Sequence, residues 1–244
     1  MNATDVLTIA RKDLGTALRR RSLRYSLILF PVLTAIGLSL VIGYVGRAAE
    51  VPTDVVAHLL LSFVFFFAVG AAILSTTIAA YSFVGEKVER SLEPLLATPV
   101  TDLDILLGKA LAAVLPPVVS TWLGIALFIV LADLRTSARF GVGYLPGPAA
   151  WIIIGVVVPL SSLLSVLFSV LVSTRAAETR AAQQAAALIT LPFAAIYVLS
   201  EVGIVPLDPV GMLSLSGVLA VVDVVLFLLA RVAFDREEIL TRWR

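Results

Sequence analysis

The chain has 244 residues, of which 60% are apolar and 14% charged, and its formal net charge is +1. A soluble domain runs near ~45–50% apolar and ~25% charged, so lipid must be the solvent for much of this chain. The near-neutral balance gives no reason to expect a nucleic-acid partner. The absence of cysteine excludes disulfides, iron–sulfur ligation and thiolate zinc, and the lone histidine, His58, excludes paired histidine ligation within one chain.

From the N-terminus, residues 1–24 are expected to form a cytoplasmic amphipathic interface helix, residues 25–234 a transmembrane domain and residues 235–244 a cytoplasmic tail. In the first segment Val6, Leu7, Ala10, Leu14, Ala17 and Leu18 recur at three- and four-residue spacings. Arg11, Lys12, Arg19 and Arg20 lie mostly opposite. Such a helix lies in the interface plane, with its apolar stripe in lipid and its basic face toward anionic headgroups. It serves as a topology anchor or as a contact for a cytoplasmic partner. The apolar run that follows is about twenty residues long, longer than the ~7–15 residues of a signal-peptide core, so it is expected to be an uncleaved first span.

A bilayer core of ~30 Å needs ~20 apolar residues in a helix. Six runs qualify: Tyr25–Val45, Leu59–Phe83, Ala110–Ala132, Trp151–Val172, Ala185–Val205 and Met212–Phe234. Glu201 interrupts the fifth near its far end. Pro31, Pro116, Pro117, Pro159 and Pro192 mark first turns or kinks, where close packing must satisfy the carbonyls they free. Fifteen Lys/Arg lie on the side of the N-terminus and three on the other. The positive-inside rule then places both termini in the cytoplasm, in a plasma-membrane protein. The outer connections are short and leave no room for a folded outer domain.

Span two carries Ser75, Thr76 and Thr77 and span five opens with alanines, small and hydroxyl residues that permit close helix approach. His58, with Ser62 one turn on, has no orienting group or oxyanion site beside it, so no catalytic residue and no metal site is expected. Asp223 falls near the middle of span six. A central Asp costs about 2.5–3.5 kcal/mol on the insertion scale, while each Leu, Val or Phe returns about 0.3–0.6, and the span still inserts. The carboxylate should face the bundle, beside the small residues Ser216, Ala220 and Ala230. Two readings stand: a cation, proton or substrate contact, or a structural hydrogen bond to another span.

The connection between spans two and three reads Gly85-Glu86-Lys87-Val88-Glu89-Arg90-Ser91-Leu92-Glu93-Pro94-Leu95-Leu96-Ala97-Thr98-Pro99-Val100-Thr101-Asp102. Ser91 can cap a short helix and Pro94 is tolerated in its first turn. Leu92, Leu95 and Leu96 then share a face, and Pro99 ends the helix. Asp102 or Thr101 can cap the next helix, which leads through Gly108 and Lys109 into span three. The apolar face packs on the protein's own helices, lies on lipid, or docks in a partner's groove.

This stretch resembles the cytoplasmic loop of the ABC-2 type permeases, the membrane subunits of one class of ATP-binding-cassette exporters. Glu86, Lys87, Glu89, Arg90, Leu92, Glu93, Leu95, Leu96, Ala97, Thr98, Pro99, Gly108 and Lys109 fit the pattern. Ser91 stands where many members place Gly-Thr. A weaker likeness to the family's second cytoplasmic loop runs from Ser173-Thr174-Arg175 through Glu178 to Arg180-Ala181-Ala182-Gln183-Gln184 and Pro192.

The resemblance implies an all-α membrane protein of six spans with a short cytoplasmic coupling helix between spans two and three. It implies a permease without its own ATPase, pairing with itself or a paralogue and sitting on two copies of an ABC ATPase. It also implies that spans two and five border the translocation route. ATP and Mg would bind on the partner, and this chain would hold no cofactor. No G-x-x-x-x-G-K-[ST] phosphate loop occurs in the chain. The rival readings are a non-transporting scaffold or assembly factor and an ion-coupled secondary transporter.

Overall fold

The structure is a computed structural model that describes residues 2–47, 51–85, 100–140, 146–173 and 179–233. Those residues form helices joined by short connections. Helix α1 is Ala3–Arg19, α2 Arg21–Arg47 and α3 Thr53–Ala80, which continues into a π-helical turn, Tyr81–Gly85. Helix α4 is Asp102–Phe140. Helix α5, Pro148–Ile152, passes through a second π turn, Ile153–Val157, into α6, Val158–Ser173. The chain continues as α7, Thr179–Ala187, α8, Thr190–Glu201, and α9, Pro209–Ala233. The expected coupling helix falls in residues 86–99, outside the described residues.

Among the described residues, six helical stretches are long and apolar enough to cross a membrane: Arg21–Gly46, Thr53–Phe83, Asp102–Ser137, Pro148–Ser173, Gln183–Glu201 and Pro209–Ala233. They coincide with the six apolar runs of the sequence. The second is the most enclosed, 67% buried over its apolar window, and packs against α2, α4, α6 and α8. Phe63, Phe67 and Phe128 form the aromatic centre of its contact with α4, the Phe63 and Phe128 rings meeting edge to face at 6.2 Å. The sixth, only 22% buried, turns Val218, Val221, Val225 and Leu229 outward, as a helix bathed in lipid should.

Prolines fix where the bundle must compensate. Pro31 has no N–H, so the carbonyl of Leu27 one turn back loses its helical donor. Ser120 of α4 donates its hydroxyl to that carbonyl. Pro159 follows the second π turn, where the donor to Ile154 would come five residues on, from Pro159 itself. Trp122, also on α4, donates its indole N–H to the Ile154 carbonyl at 2.8 Å. One helix therefore satisfies two carbonyls freed by prolines in two others. Pro192 sits just after a helical break at Leu188–Ile189.

The fifth span ends where Glu201 interrupts the apolar run. Gly203 takes φ +78° and its N–H bonds the Ser200 carbonyl at 3.0 Å, while Ile204 N–H reaches back to Leu199 at 2.9 Å. A glycine closes such a helix end without steric cost.

The role of α4 leads to a measurable expectation. Ser120→Ala should destabilise the protein by about 1 kcal/mol in a mixed-micelle unfolding titration, within the ~0.6–2 kcal/mol range of membrane hydrogen bonds. In a Pro31→Ala background, where the helix supplies its own donor, the same change should have little effect.

Candidate functional site

Among the described residues, three of the four buried charged side chains, Asp13, Asp104 and Lys109, lie at the end of the bundle that bears α1, and Asp223 is the fourth. Val6, Ile9, Ala10 and Asp13 form one buried strip of α1, at the three- and four-residue spacings of a helix face. That strip packs on α4. Part of the stripe expected in lipid therefore lies on protein, while Leu7 and Leu18 remain exposed. The apolar sector is wide enough for both because Leu7, Leu14 and Leu18 form a second row beside the first.

Gly108 makes the close approach possible. A Cβ at this position would lie 2.8 Å from Ile9 Cβ and 2.9 Å from the Val6 carbonyl oxygen. With α1 this near, the next residue, Lys109, reaches Asp13. Its Nζ stands 2.8 Å from Asp13 Oδ2, with the Lys109 side chain 0% and the Asp13 side chain 5% exposed. The same ammonium donates to the Ser82 carbonyl at 3.3 Å, and the Ser82 hydroxyl donates to Asp13 Oδ2 at 3.1 Å. The Phe83 ring lies 5.7 Å from Nζ, within cation–π reach. Ser82 and Phe83 belong to the π turn at the end of α3.

Two further contacts hold α1 in place. The Asn2 backbone N–H donates to Asp104 Oδ1 at 3.3 Å, and the Arg20 guanidinium lies 5.4 Å from the Tyr81 ring centroid. Of the two possible caps of α4, Thr101 acts: its Oγ1 accepts from Asp104 N at 3.3 Å and donates to Asp104 Oδ2 at 2.6 Å. Helix α1 is thus bonded to the π turn that enters segment 86–99 and to the helix that leaves it.

Glu86, Lys87, Glu89, Arg90, Leu92, Glu93, Leu95, Leu96, Thr98 and Pro99 lie outside the described residues, as do Arg175 and Glu178. Arg180 is in the first turn of α7. From the same helix Gln183 donates its amide to Thr77 Oγ1 at 3.1 Å, tying the second connection to span two. Thr76 and Thr77 donate to carbonyls of their own helix, at Ala72 and Ile73. Ser75 is buried with its hydroxyl unpartnered among the described residues. His58 bonds the Ser200 carbonyl at 3.1 Å through Nε2, and Ser62 donates to the backbone carbonyl of His58, not to its ring. A serine–histidine catalytic pair is absent at that position.

Asp223 lies on the buried strip of α9 with Met212, Ser216, Leu219 and Ala230; Ala220 faces outward. It is not part of the α1 cluster. Asp13 and Ser82 were not singled out by sequence reasoning. A signal for Asp13 did exist, since it falls seven residues after Val6 on the strip of Ile9 and Ala10.

The family model described as ABC-2 family transporter protein matches residues 7–209. A curated relative, the ABC transporter permease protein NatB of Bacillus subtilis (strain 168), is 28% identical over 197 residues, covering 66% of this chain and 49% of NatB. The chain therefore spans about half the length of that relative.

Removing one partner of a buried ion pair strands the other charge and costs about 3–5 kcal/mol, whereas replacing both by apolar residues is often neutral. Asp13→Leu or Lys109→Met alone should lower stability by that amount in thermal unfolding in detergent. The double variant should recover most of the loss.

Proposed function

Because the chain belongs to the ABC-2 transporter family, we propose that it is the permease subunit of an ATP-binding-cassette exporter, powered by a separate ATPase. The observation that carries this reading is the buried Asp13–Lys109 pair with Ser82. It fastens both flanks of segment 86–99 to α1. A loop that only connected two spans would need no such anchorage, since loops tolerate motion without cost to the fold. A loop that receives a push needs rigid attachment at both ends.

In this proposal the segment holds a short helix whose Leu92, Leu95 and Leu96 dock in a groove of the ATPase, with Glu86, Lys87, Glu89, Arg90 and Glu93 at the rim. Thr98 and Pro99 end that helix. Arg175, Glu178 and Arg180 contribute a second contact from the following cytoplasmic connection. Closure of the ATPase pair on ATP displaces the docked helix. The α1–π turn–α4 junction then carries the displacement into spans two and three. ATP and Mg bind the ATPase only. Two ATP sites need two cassettes, so two copies of this chain, or this chain and a paralogue, sit on two ATPases. In this proposal both termini face the cytoplasm of a cell whose plasma membrane holds the bundle, an orientation that the fifteen-to-three Lys/Arg asymmetry supports.

Two experiments test the proposal. The first substitutes Leu95→Asp and Leu96→Asp and asks whether an ABC ATPase still co-purifies with the tagged chain from native membranes. Normal membrane levels with co-purification reduced at least tenfold are expected; undiminished co-purification in both variants overturns the docking role. The second uses the cysteine-free background. Single cysteines at Asp54, Ser137 and Asp208 should react with an impermeant thiol reagent added outside intact cells, and cysteines at Ser91 and Glu178 should not. The reverse pattern contradicts the orientation.

A further inference from the structure

One backbone carbonyl of the fourth span can be served by three different donors. In the second π turn, Ile153–Val157, the Val158 N–H bonds the Ile153 carbonyl five residues back. The same register assigns the Ile154 carbonyl to residue 159, which is proline and has no N–H. In an α-helical turn the Ile154 carbonyl would instead receive the Val158 N–H, four residues on. The third donor comes from another helix: the Trp122 indole N–H of α4, at 2.8 Å.

Each register of the turn leaves a different carbonyl to be satisfied. In the π form it is Ile154, and Trp122 serves it. In the α form Val158 serves Ile154, and the Gly155 carbonyl faces the Pro159 ring without a donor. Lipid supplies no substitute, so the π form holds one more hydrogen bond for as long as Trp122 is in reach. Take the indole away and each form strands one carbonyl. The π turn then loses its advantage, and a proline-kinked α-helix, which membrane bundles tolerate, is favoured over a rare π turn. Gly155 is exposed, with open space where a side chain would stand, so the turn can change its pitch without a clash.

We propose that Trp122 is the latch of a conformational switch in the fourth span. While its N–H holds the Ile154 carbonyl, the turn stays π-helical. When α4 shifts and draws the indole away, the Val158 N–H passes from Ile153 to Ile154, Ile153 takes the Val157 N–H, and the turn closes to α. A π turn holds about one residue more than an α turn, so closure rotates α5 against α6 by about one residue position. Helix α5 packs on α3 and α9. Its rotation therefore reseats the start of the fourth span on the second and the sixth. Helix α4 is the one that leaves segment 86–99, and a docked ATPase is what would shift it, a step that rests on the permease reading.

The register can be read at two neighbouring residues. Trp151 is 59% exposed and Ile152 is half-buried, and closure of the turn brings residue 152 to the place that 151 holds in the π form. The test puts single nitroxides at Trp151→Cys and Ile152→Cys in the cysteine-free chain, in lipid nanodiscs, and measures their collision rates with oxygen dissolved in the lipid. Position 151 should be the more accessible in the otherwise wild-type chain. The order should reverse in Trp122→Phe, which keeps an aromatic ring and loses the N–H. If Trp122→Phe fails to assemble, Pro159→Ala serves in its place: residue 159 then donates to Gly155, the α turn strands nothing, and the order should reverse with Trp122 intact. Position 151 remaining the more accessible in the variant overturns the latch. These measurements use the chain alone, so their result stands apart from the permease reading. In the complex with the ATPase, trapping ATP should reverse the order in the otherwise wild-type chain, and an unchanged order there overturns the latch's part in transport.

Discussion

The buried contact between Asp13 and Lys109 is the interaction on which the N-terminal end of the bundle depends. A lysine with no exposed surface is uncommon, because its ammonium must find oxygen partners that replace water. Here they come from two separate parts of the chain: a carboxylate on α1 and a backbone carbonyl on the π turn. Such a pair adds little net stability, since desolvation offsets most of its attraction. It does fix geometry, because moving α1 or the π turn would part the Lys109 ammonium from one of these oxygens. Gly108 is the companion condition, since any side chain there would push α1 away from α4 and out of Lys109's reach.

Lipid sets the second constraint. A carbonyl freed by proline has no water to turn to, and the bundle answers with side chains from a neighbouring helix. Ser120 and Trp122 sit two residues apart on α4 and serve different partners, Leu27 on α2 and Ile154 at the second π turn. Helix α4 is therefore the tie across the bundle as well as the partner of α1. In the proposed mechanism, a displacement entering at its first turn would be delivered to α2 and to the fourth span through these bonds.

The spans were legible in the sequence because they follow from composition and length alone, which act locally. The prolines were legible as places needing compensation, but the compensating residues were not, because Ser120 and Trp122 carry no local mark of the carbonyls they bond. The end of the fifth span was visible at Glu201, where a charge breaks an apolar run. The α1 helix was legible as amphipathic. Its division between protein and lipid was not, because an apolar face looks the same whichever it meets. Asp13 was hidden by sorting the helix into an apolar and a basic side, which leaves no place for one acid on the apolar strip. Lys109 was noticed only through its place in a resemblance, and its physical reason is the carboxylate ninety-six positions earlier. Asp223 was readable as a buried charge, since an acid in the middle of an apolar run marks itself.

In the proposed mechanism α1, the π turn and the start of α4 move as one body. Thr16 and Thr101 are exposed on α1 and at the cap of α4, and the chain has no native cysteine to interfere with labelling. The direct measurement is the pulsed electron-resonance distance between nitroxides at Thr16→Cys and Thr101→Cys, in lipid with the ATPase bound, without nucleotide and with ATP trapped. The account predicts one narrow distance, the same in both states, which broadens when Lys109→Met and Asp13→Leu are introduced together. A distance in the otherwise wild-type chain that changes when ATP is trapped would contradict it.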